Sequence, residues 1–327
     1  MWNEKLKQID RDLIPKLAVD LWAGDLDSIQ LISEGVNLVY RFEINKNGHY
    51  LRLTHSELRA IQALEAAVSF QNYLSEDGVS VCPLVKSMHK NFIEKISHQG
   101  AIFLAQVCLE VPGKPIDFNH PDLNLYKNWG MALGKFHQAS LNYSPGIFKT
   151  IYASVDKSFE ELKGYLNSES QEIKDLLESV ITYFSKRPRT NLNFGLTHGD
   201  HREGNVIANA NEINIIDFDL PSFNWFTEDV FRPFFQSWID GDTKFEKILG
   251  AYLEGYFSVM PRESVDLESF HWHLKLKGLE IYLWMKNSWN LDSPAPGGGN
   301  ARAWLDSIYK KITSQDPEDF KFRGLNV

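Results

Sequence analysis

Thr197-His198-Gly199-Asp200-His201-Arg202-Glu203-Gly204-Asn205-Val206, followed by Ile215-Ile216-Asp217-Phe218-Asp219, decides the reading of this chain. The two pieces set two acidic groups and an amide in a short loop and at the end of an apolar strand. Between them lie Val206-Ile207 and a turn at Ala210-Asn211. One loop can present Asp200 and Asn205 to the same pocket, and Asp217 arrives from the end of the intervening hairpin.

Mg2+ takes hard oxygen ligands and accepts only one or two protein carboxylates beside phosphate and water, so an Asn with an Asp is a suitable pair. A phosphoryl-transfer site needs little more: a carboxylate to take the acceptor's proton, and a cation near the phosphates. Asp200, Asn205 and Asp217 supply all three oxygens.

Upstream, Leu6, Ile9, Leu13, Leu17 and Leu21 have helical spacing, which predicts a helix over 4–23 kinked near Pro15. Ser28 to Ile44 reads as strand, tight turn at Gly35 and Asn37, strand. Asn45-Lys46-Asn47-Gly48 is then a hairpin turn into His49–Leu53, giving three antiparallel strands. A helix is expected from Ser56 to Leu74, with Glu65 at the border of its buried stripe. Val79–Val81 and Asn91–Ile96 read as further strands, and Ala101–Leu109 as a central one. Val111-Pro112-Gly113-Lys114-Pro115 breaks the pattern as an inter-lobe linker.

Beyond the linker the chain is mostly helical. Leu125, Trp129, Ala132, Leu133 and Phe136 share one face, and Ile173, Leu176, Leu177, Val180, Ile181 and Phe184 another. Further helices are expected over Glu228–Trp238, Lys244–Tyr256, Phe270–Asn287 and Asn300–Ile312. Gly297-Gly298-Gly299 reads as a loop, since no Lys-Ser/Thr follows to make it a phosphate cradle. The expected fold class is α+β in two lobes, 1–110 strand-rich and 116–327 helical, with the hinge at 109–115.

His198-Gly199-Asp200 with Asn205, then Ile216-Asp217-Phe218-Asp219, resembles the aminoglycoside phosphotransferase and choline kinase family, small-molecule kinases related to the protein kinases. Glu34–Tyr40 is similar to that family's loop over the nucleotide, Leu109–Gly113 to its hinge, and Trp129–His137 to the helix that leads towards the catalytic loop. The resemblance covers roughly residues 28–240. It implies a protein-kinase-like fold, ATP and Mg2+ as cofactors, Asp200 as catalytic base, and Asn205 and Asp217 as metal ligands. It further implies that Leu109 and Val111 meet the adenine through their backbone, that Gly35 and Asn37 cover the phosphates, and that Asp229 braces the catalytic loop. The strand cation falls on Arg52 in place of the usual Lys, and the helix glutamate on Ala67. Glu65 is the nearest carboxylate, and the expectation is that it pairs with Arg52.

Length and composition agree with two lobes, because single cores rarely grow past roughly 250–300 residues. A net charge of −9 speaks against a nucleic-acid or anionic-membrane binder and leaves room for an amine-bearing acceptor with a hydroxyl. Cys82 and Cys108 form no disulfide or zinc pattern. The start has no signal-peptide core and no run is long enough to span a bilayer, so a cytoplasmic protein is expected. Oligomeric state is open. Three alternatives stand beside the small-molecule kinase: a Ser/Thr protein kinase of the same fold, a metal-dependent hydrolase using His198, Asp200, His201, Asp217 and Asp219, and a nucleotide-binding module without turnover. Asp219 is either a third metal ligand or a residue that orients its neighbours.

Overall fold

A computed structural model of the chain describes residues 2–7, 9–210, 212–242 and 245–314. Asn211 of the expected turn and Lys244 of an expected helix lie outside the described residues.

Strands β1 (Asp25–Glu34), β2 (Leu38–Ile44), β3 (Asn47–His55), β4 (Leu84–Val85), β5 (Ile93–His98) and β6 (Ala101–Leu109) form one antiparallel sheet in the order β1-β2-β3-β6-β4, with β5 also on β6. Leu38, Tyr40 and Phe42 of β2 and Leu51 and Leu53 of β3 alternate inward, as the two-residue period of a strand requires. Asn45 and Lys46 both have positive φ (50° and 67°), the geometry of a two-residue hairpin turn. β3 therefore starts at Asn47, opposite Ile44. Val79–Val81 is not a strand: Val81 makes only an isolated bridge to Ile215.

The opening segment is two helices, Trp2–Leu6 and Leu13–Asp20, not one helix kinked at Pro15. The break is at Asp10, whose carboxylate accepts the backbone N–H groups of Asp12 and Leu13. Pro15 lies in the first turn of the second helix, where an N–H has no partner within the helix to lose. Ile14, Ala18 and Val19 close one core against the sheet.

The helix expected at Ser56 begins instead at Ile61 and runs to Glu76. Residues 55–60 form a turn in which Leu58 and Arg59 bond back to the His55 carbonyl and the His55 ring accepts from Glu57. This helix packs into a second, larger core through Ala66, Phe70 and Leu74. A chain of hydroxyls fixes it there: Ser69 to Tyr143 (2.9 Å), Tyr143 to Tyr152 (2.9 Å), and Tyr152 to the Ala66 carbonyl (2.5 Å).

The larger core is helical. Its helices are Leu123–Asn142, Val155–Gly164, Gln171–Ser185, Phe226–Phe231, Phe235–Asp240, Phe245–Phe257, Phe270–Ser288 and Ala301–Thr313. Val155–Gly164 was not expected from sequence. The helix expected over Glu228–Trp238 breaks at a 3-10 turn, Arg232–Phe234, because Pro233 offers no N–H to continue it. Helices Leu123–Asn142 and Phe245–Phe257 touch backbone to backbone: a Cβ on Gly130 would overlap the Tyr252 carbonyl, and one on Gly255 the Lys127 carbonyl.

Six short strands line the boundary between the two cores. β7 (Lys114–Pro115) pairs with β10 (Val206–Asn209), which forms a hairpin with β11 (Glu212–Ile215). β12 (Ser222–Trp225) runs beside β8 (Ala153–Ser154) and β9 (Phe194–Thr197). No helix among the described residues is long and apolar enough to cross a membrane.

Candidate active site

The loop that leaves β9 at Thr197 is held by the buried Asp229, whose carboxylate accepts the backbone N–H groups of His198 (2.6 Å) and Gly199 (2.9 Å). Burial is the largest influence on the Asp229 carboxyl and raises it, but the hydrogen bond with His137 (3.1 Å) and the surrounding imidazoles together outweigh it and hold the group below the usual carboxylate range. Gly199 has φ +80°, and a Cβ there would overlap the Leu220 carbonyl, so the loop can turn only at glycine. Lys277 grips the same residue from the other side, donating to the Gly199 carbonyl at 3.2 Å.

Asp200 follows directly. Its carboxylate meets the Arg232 guanidinium at 2.6 Å and Arg202 at 3.3 Å, and accepts from the Asn205 side-chain amide at 3.0 Å. Burial pushes this carboxyl up, yet Arg232, Arg202 and Lys277 together hold it below its ordinary value. Asp200 is therefore ionised at neutral pH. The amide nitrogen of Asn205 is committed to Asp200, which leaves the amide oxygen as the atom able to ligate a metal.

The Asp217 segment is tied to this loop through its neighbour. Ile216 donates its N–H to the Asn205 carbonyl and accepts from the His198 ring, both at 3.0 Å. Asp217 has φ +70°, a left-handed conformation that costs a non-glycine residue of order 1–3 kcal/mol and gathers at functional sites. Its Oδ1 lies 2.5 Å from Arg52 of β3. Arg52 also meets Asp219 at 2.5 Å. Burial opposes the charge on Arg52, but these two carboxylates keep it firmly protonated.

Glu65 does not pair with Arg52. It lies on the exposed face of its helix, while Ala67 is buried at 2% exposure. Two residues along a helix turn a side chain by about 200°, which sends Glu65 away from the cleft. Asn37 is occupied within the protein: its amide donates to Asp219 at 2.6 Å and its oxygen accepts from Thr54. Gly35 sits at the tip between β1 and β2, where a Cβ would come within 3.9 Å of the Gly297 backbone nitrogen. After β6, Glu110 is clamped by Arg41 (2.9 Å) and Tyr50 (3.1 Å), which fixes the backbone between Leu109 and Val111.

The hydrolase cluster is not assembled. The His198 ring is turned to the Ile216 carbonyl, and the His201 ring accepts from the Trp129 indole at 2.8 Å. Among the described residues no group of three or more His, Cys, Asp or Glu side chains is placed to hold a metal ion. Three residues that sequence reasoning missed belong to the site: Arg232 on Asp200, Lys277 on Gly199, and Arg59 on Asp219. None carries a periodic or motif signal, since each acts through a long-range ion pair or hydrogen bond.

The sequence model of the phosphotransferase enzyme family matches residues 28–265. The chain belongs to that family. Amicoumacin kinase of Bacillus subtilis (strain 168) is 23% identical over 207 residues, a match that spans 62% of this chain and 61% of that relative's length. A solved amicoumacin kinase in complex with AMP-PNP, Ca2+ and Ami superposes with TM-score 0.83 at 21% identity, covering 98% of this chain and 99% of the other. The microcompartment-associated aminopropanol kinase superposes with TM-score 0.70 at 17% identity, over 91% and 94% of the two chains. The sheet-plus-helical fold of this family member is thus the two-lobed, protein-kinase-like one.

Proposed function

We propose that this protein transfers the γ-phosphoryl of ATP to a hydroxyl of a small, amine-bearing acceptor. One observation carries the reading: the ionised Asp200, the Asn205 amide, the Asp217 carboxylate and the Arg52 cation are linked by successive hydrogen bonds and ion pairs into one cleft. In this reading residues 1–110 form the nucleotide lobe, 116–327 the catalytic and acceptor lobe, and ATP lies under Gly35 with its adenine edge against the backbone of Leu109 and Val111.

Asp200 accepts the acceptor's proton and orients the attacking oxygen. The donor set offered by Asn205 and Asp217 is all oxygen, which suits Mg2+. When bound, that ion neutralises charge on the transferring phosphates. Arg52, a permanent planar cation, meets the phosphates in place of a lysine. An amine on the acceptor is in keeping with the chain's net charge of −9. The notable relatives agree with a small acceptor: one is named for amicoumacin, another for aminopropanol.

The test is ATP consumption against amino alcohols, homoserine, sugars, aminoglycosides and a generic protein substrate, with Asp200→Asn as control. Turnover on an amine-bearing small molecule, lost by about 10²-fold or more in Asp200→Asn while Mg·AMP-PNP still binds, is the expected result. Nucleotide binding with no turnover on any acceptor would support a non-catalytic module instead, and turnover retained by Asp200→Asn would remove Asp200 as the base.

A further inference from the structure

Arg52 is a half-buried strand cation that finds no carboxylate on the helix beside it. Position 67 is alanine, Glu65 is exposed, and the hydroxyl chain through Tyr143 and Tyr152 fixes the helix to the larger core. Rotating that helix to deliver Glu65 would break these bonds and expose Phe70 and Leu74.

The carboxylate comes from Asp219 instead. Asp219 is 12% exposed and receives three groups from the strand-rich lobe: Asn37 at 2.6 Å, Arg52 at 2.5 Å and Arg59 at 2.5 Å. Arg59 also donates to the Asp219 backbone carbonyl. A planar guanidinium can hold a side-chain oxygen and a carbonyl at once, which a lysine ammonium on a flexible stem does poorly. Arg59 can reach both because residues 55–60 form a turn and not the first turn of a helix. We propose that Arg59 and Asp219 form a positioning clamp that replaces the missing helix carboxylate, keeping Arg52 aimed at the nucleotide phosphates when Asp217 is taken up by the metal.

The geometry gives each acid a separate task. Asp217 and Asp219 share Arg52 in the structure, one to each terminal nitrogen. Once Asp217 turns to a metal, Arg52 loses one of its two partners, and a freely rotating arginine would cost rotamer entropy at each binding event. Asp219, itself immobilised by Arg59 and Asn37, still holds the other nitrogen. The clamp also joins the two lobes, since its donors lie at residues 37, 52 and 59 and its acceptor beyond β11.

The inference rests on the kinase reading, and the experiment separates the two. Affinities for Mg·AMP-PNP and for adenosine are measured by calorimetry and competition on the full chain, for wild type, Arg59→Ala, Arg59→Lys, Asp219→Asn and the Arg59→Ala/Asp219→Asn double variant. Loss of a charge-assisted bond predicts about a tenfold or greater loss of Mg·AMP-PNP affinity in Arg59→Ala and in Asp219→Asn, with the double variant no worse than either alone. Adenosine, which has no phosphates, should bind all of them equally. Arg59→Lys keeps the charge and tests the same point if Arg59→Ala fails to fold; its phosphate-dependent affinity should also fall. Wild type that fails to bind Mg·AMP-PNP would overturn the kinase reading. Wild type that binds while the variants bind as well as it does would overturn only the clamp. Additive losses would make Arg59 a direct phosphate ligand, and equal loss of adenosine would make it a merely structural residue; either result overturns the clamp.

Discussion

The Arg232 guanidinium lies 2.6 Å from the Asp200 carboxylate, so the group proposed to accept a proton is already paired with a cation within the protein. The pair is well shielded, with Arg232 at 13% and Asp200 at 24% side-chain exposure. Burial raises the Asp200 carboxyl and Arg232 is the foremost of the charges that bring it back below its usual value. A lowered carboxyl is ionised above its folded value and is neutralised only as pH falls through it. Removing Arg232 moves that point upward. In Arg232→Met the acid limb of kcat/KM should therefore shift to higher pH, by about 1–3 units for an opposite charge at contact distance, while the alkaline plateau persists. Arg232→Lys should shift it less. A pH–rate profile checks this, and an unmoved acid limb would show that Arg232 does not set the ionisation of the base.

Glu228 stands in the opposite situation. It is 5% exposed, it shares Lys277 with Glu280, and burial pushes its carboxyl up to about 8. A carboxyl raised on folding contributes stability that is complete below the unfolded value and disappears as pH rises through the folded one. The window here runs from about 4.5 to about 8. Glu228→Gln cannot ionise and has no such dependence. Its melting temperature should match wild type near pH 5 and exceed it by a few degrees near pH 9, where Lys277 still has Glu280. Thermal melts across that range test it; a difference independent of pH would mean that Glu228 is already compensated by groups other than Lys277.

These two ion pairs mark where sequence ceases to be informative. Leu38, Tyr40 and Phe42 announce a half-buried strand because alternation is a local property, and His198-Gly199-Asp200 with Asn205 is legible as a candidate site because one loop brings Asp200 and Asn205 together. Val155, Phe159 and Leu162 are the buried face of a helix whose apolar spacing is masked by the polar residues between them. Arg59 and Arg232 are different. Arg59 stands 160 residues from Asp219, and nothing near an arginine in sequence says which distant carboxylate it will meet. The helix start at Ile61 was hidden for a related reason: the His55 carbonyl and ring capture the next residues into a turn, a choice made by side-chain hydrogen bonding that apolar periodicity does not register.

Gly130 is a position where the family resemblance drew attention to a helix without explaining its glycine. The reason lies in the partner helix, since a Cβ at Gly130 would overlap the Tyr252 carbonyl and crowd the Tyr256 N–H. Both are backbone groups of Phe245–Phe257, so no side-chain rotation relieves the clash and the helices must separate. Separation would loosen Trp129, Tyr252 and Tyr256, all fully buried, and with them the bonds from Trp129 to His201 and from Tyr256 to His137 that stand behind the loop 198–205. Gly130→Ala gains the alanine's helix propensity, roughly 1 kcal/mol, and loses more than that to overpacking, typically about 1–3 kcal/mol and higher where backbone must move. Gly164, at the end of helix Val155–Gly164, has nothing within 4 Å of where a Cβ would be placed, so Gly164→Ala should be neutral or stabilising. Denaturant unfolding of the two variants side by side checks the argument: a lowered midpoint for Gly130→Ala alone is expected, and a Gly130→Ala protein as stable as Gly164→Ala would mean that the two helices do not meet backbone to backbone.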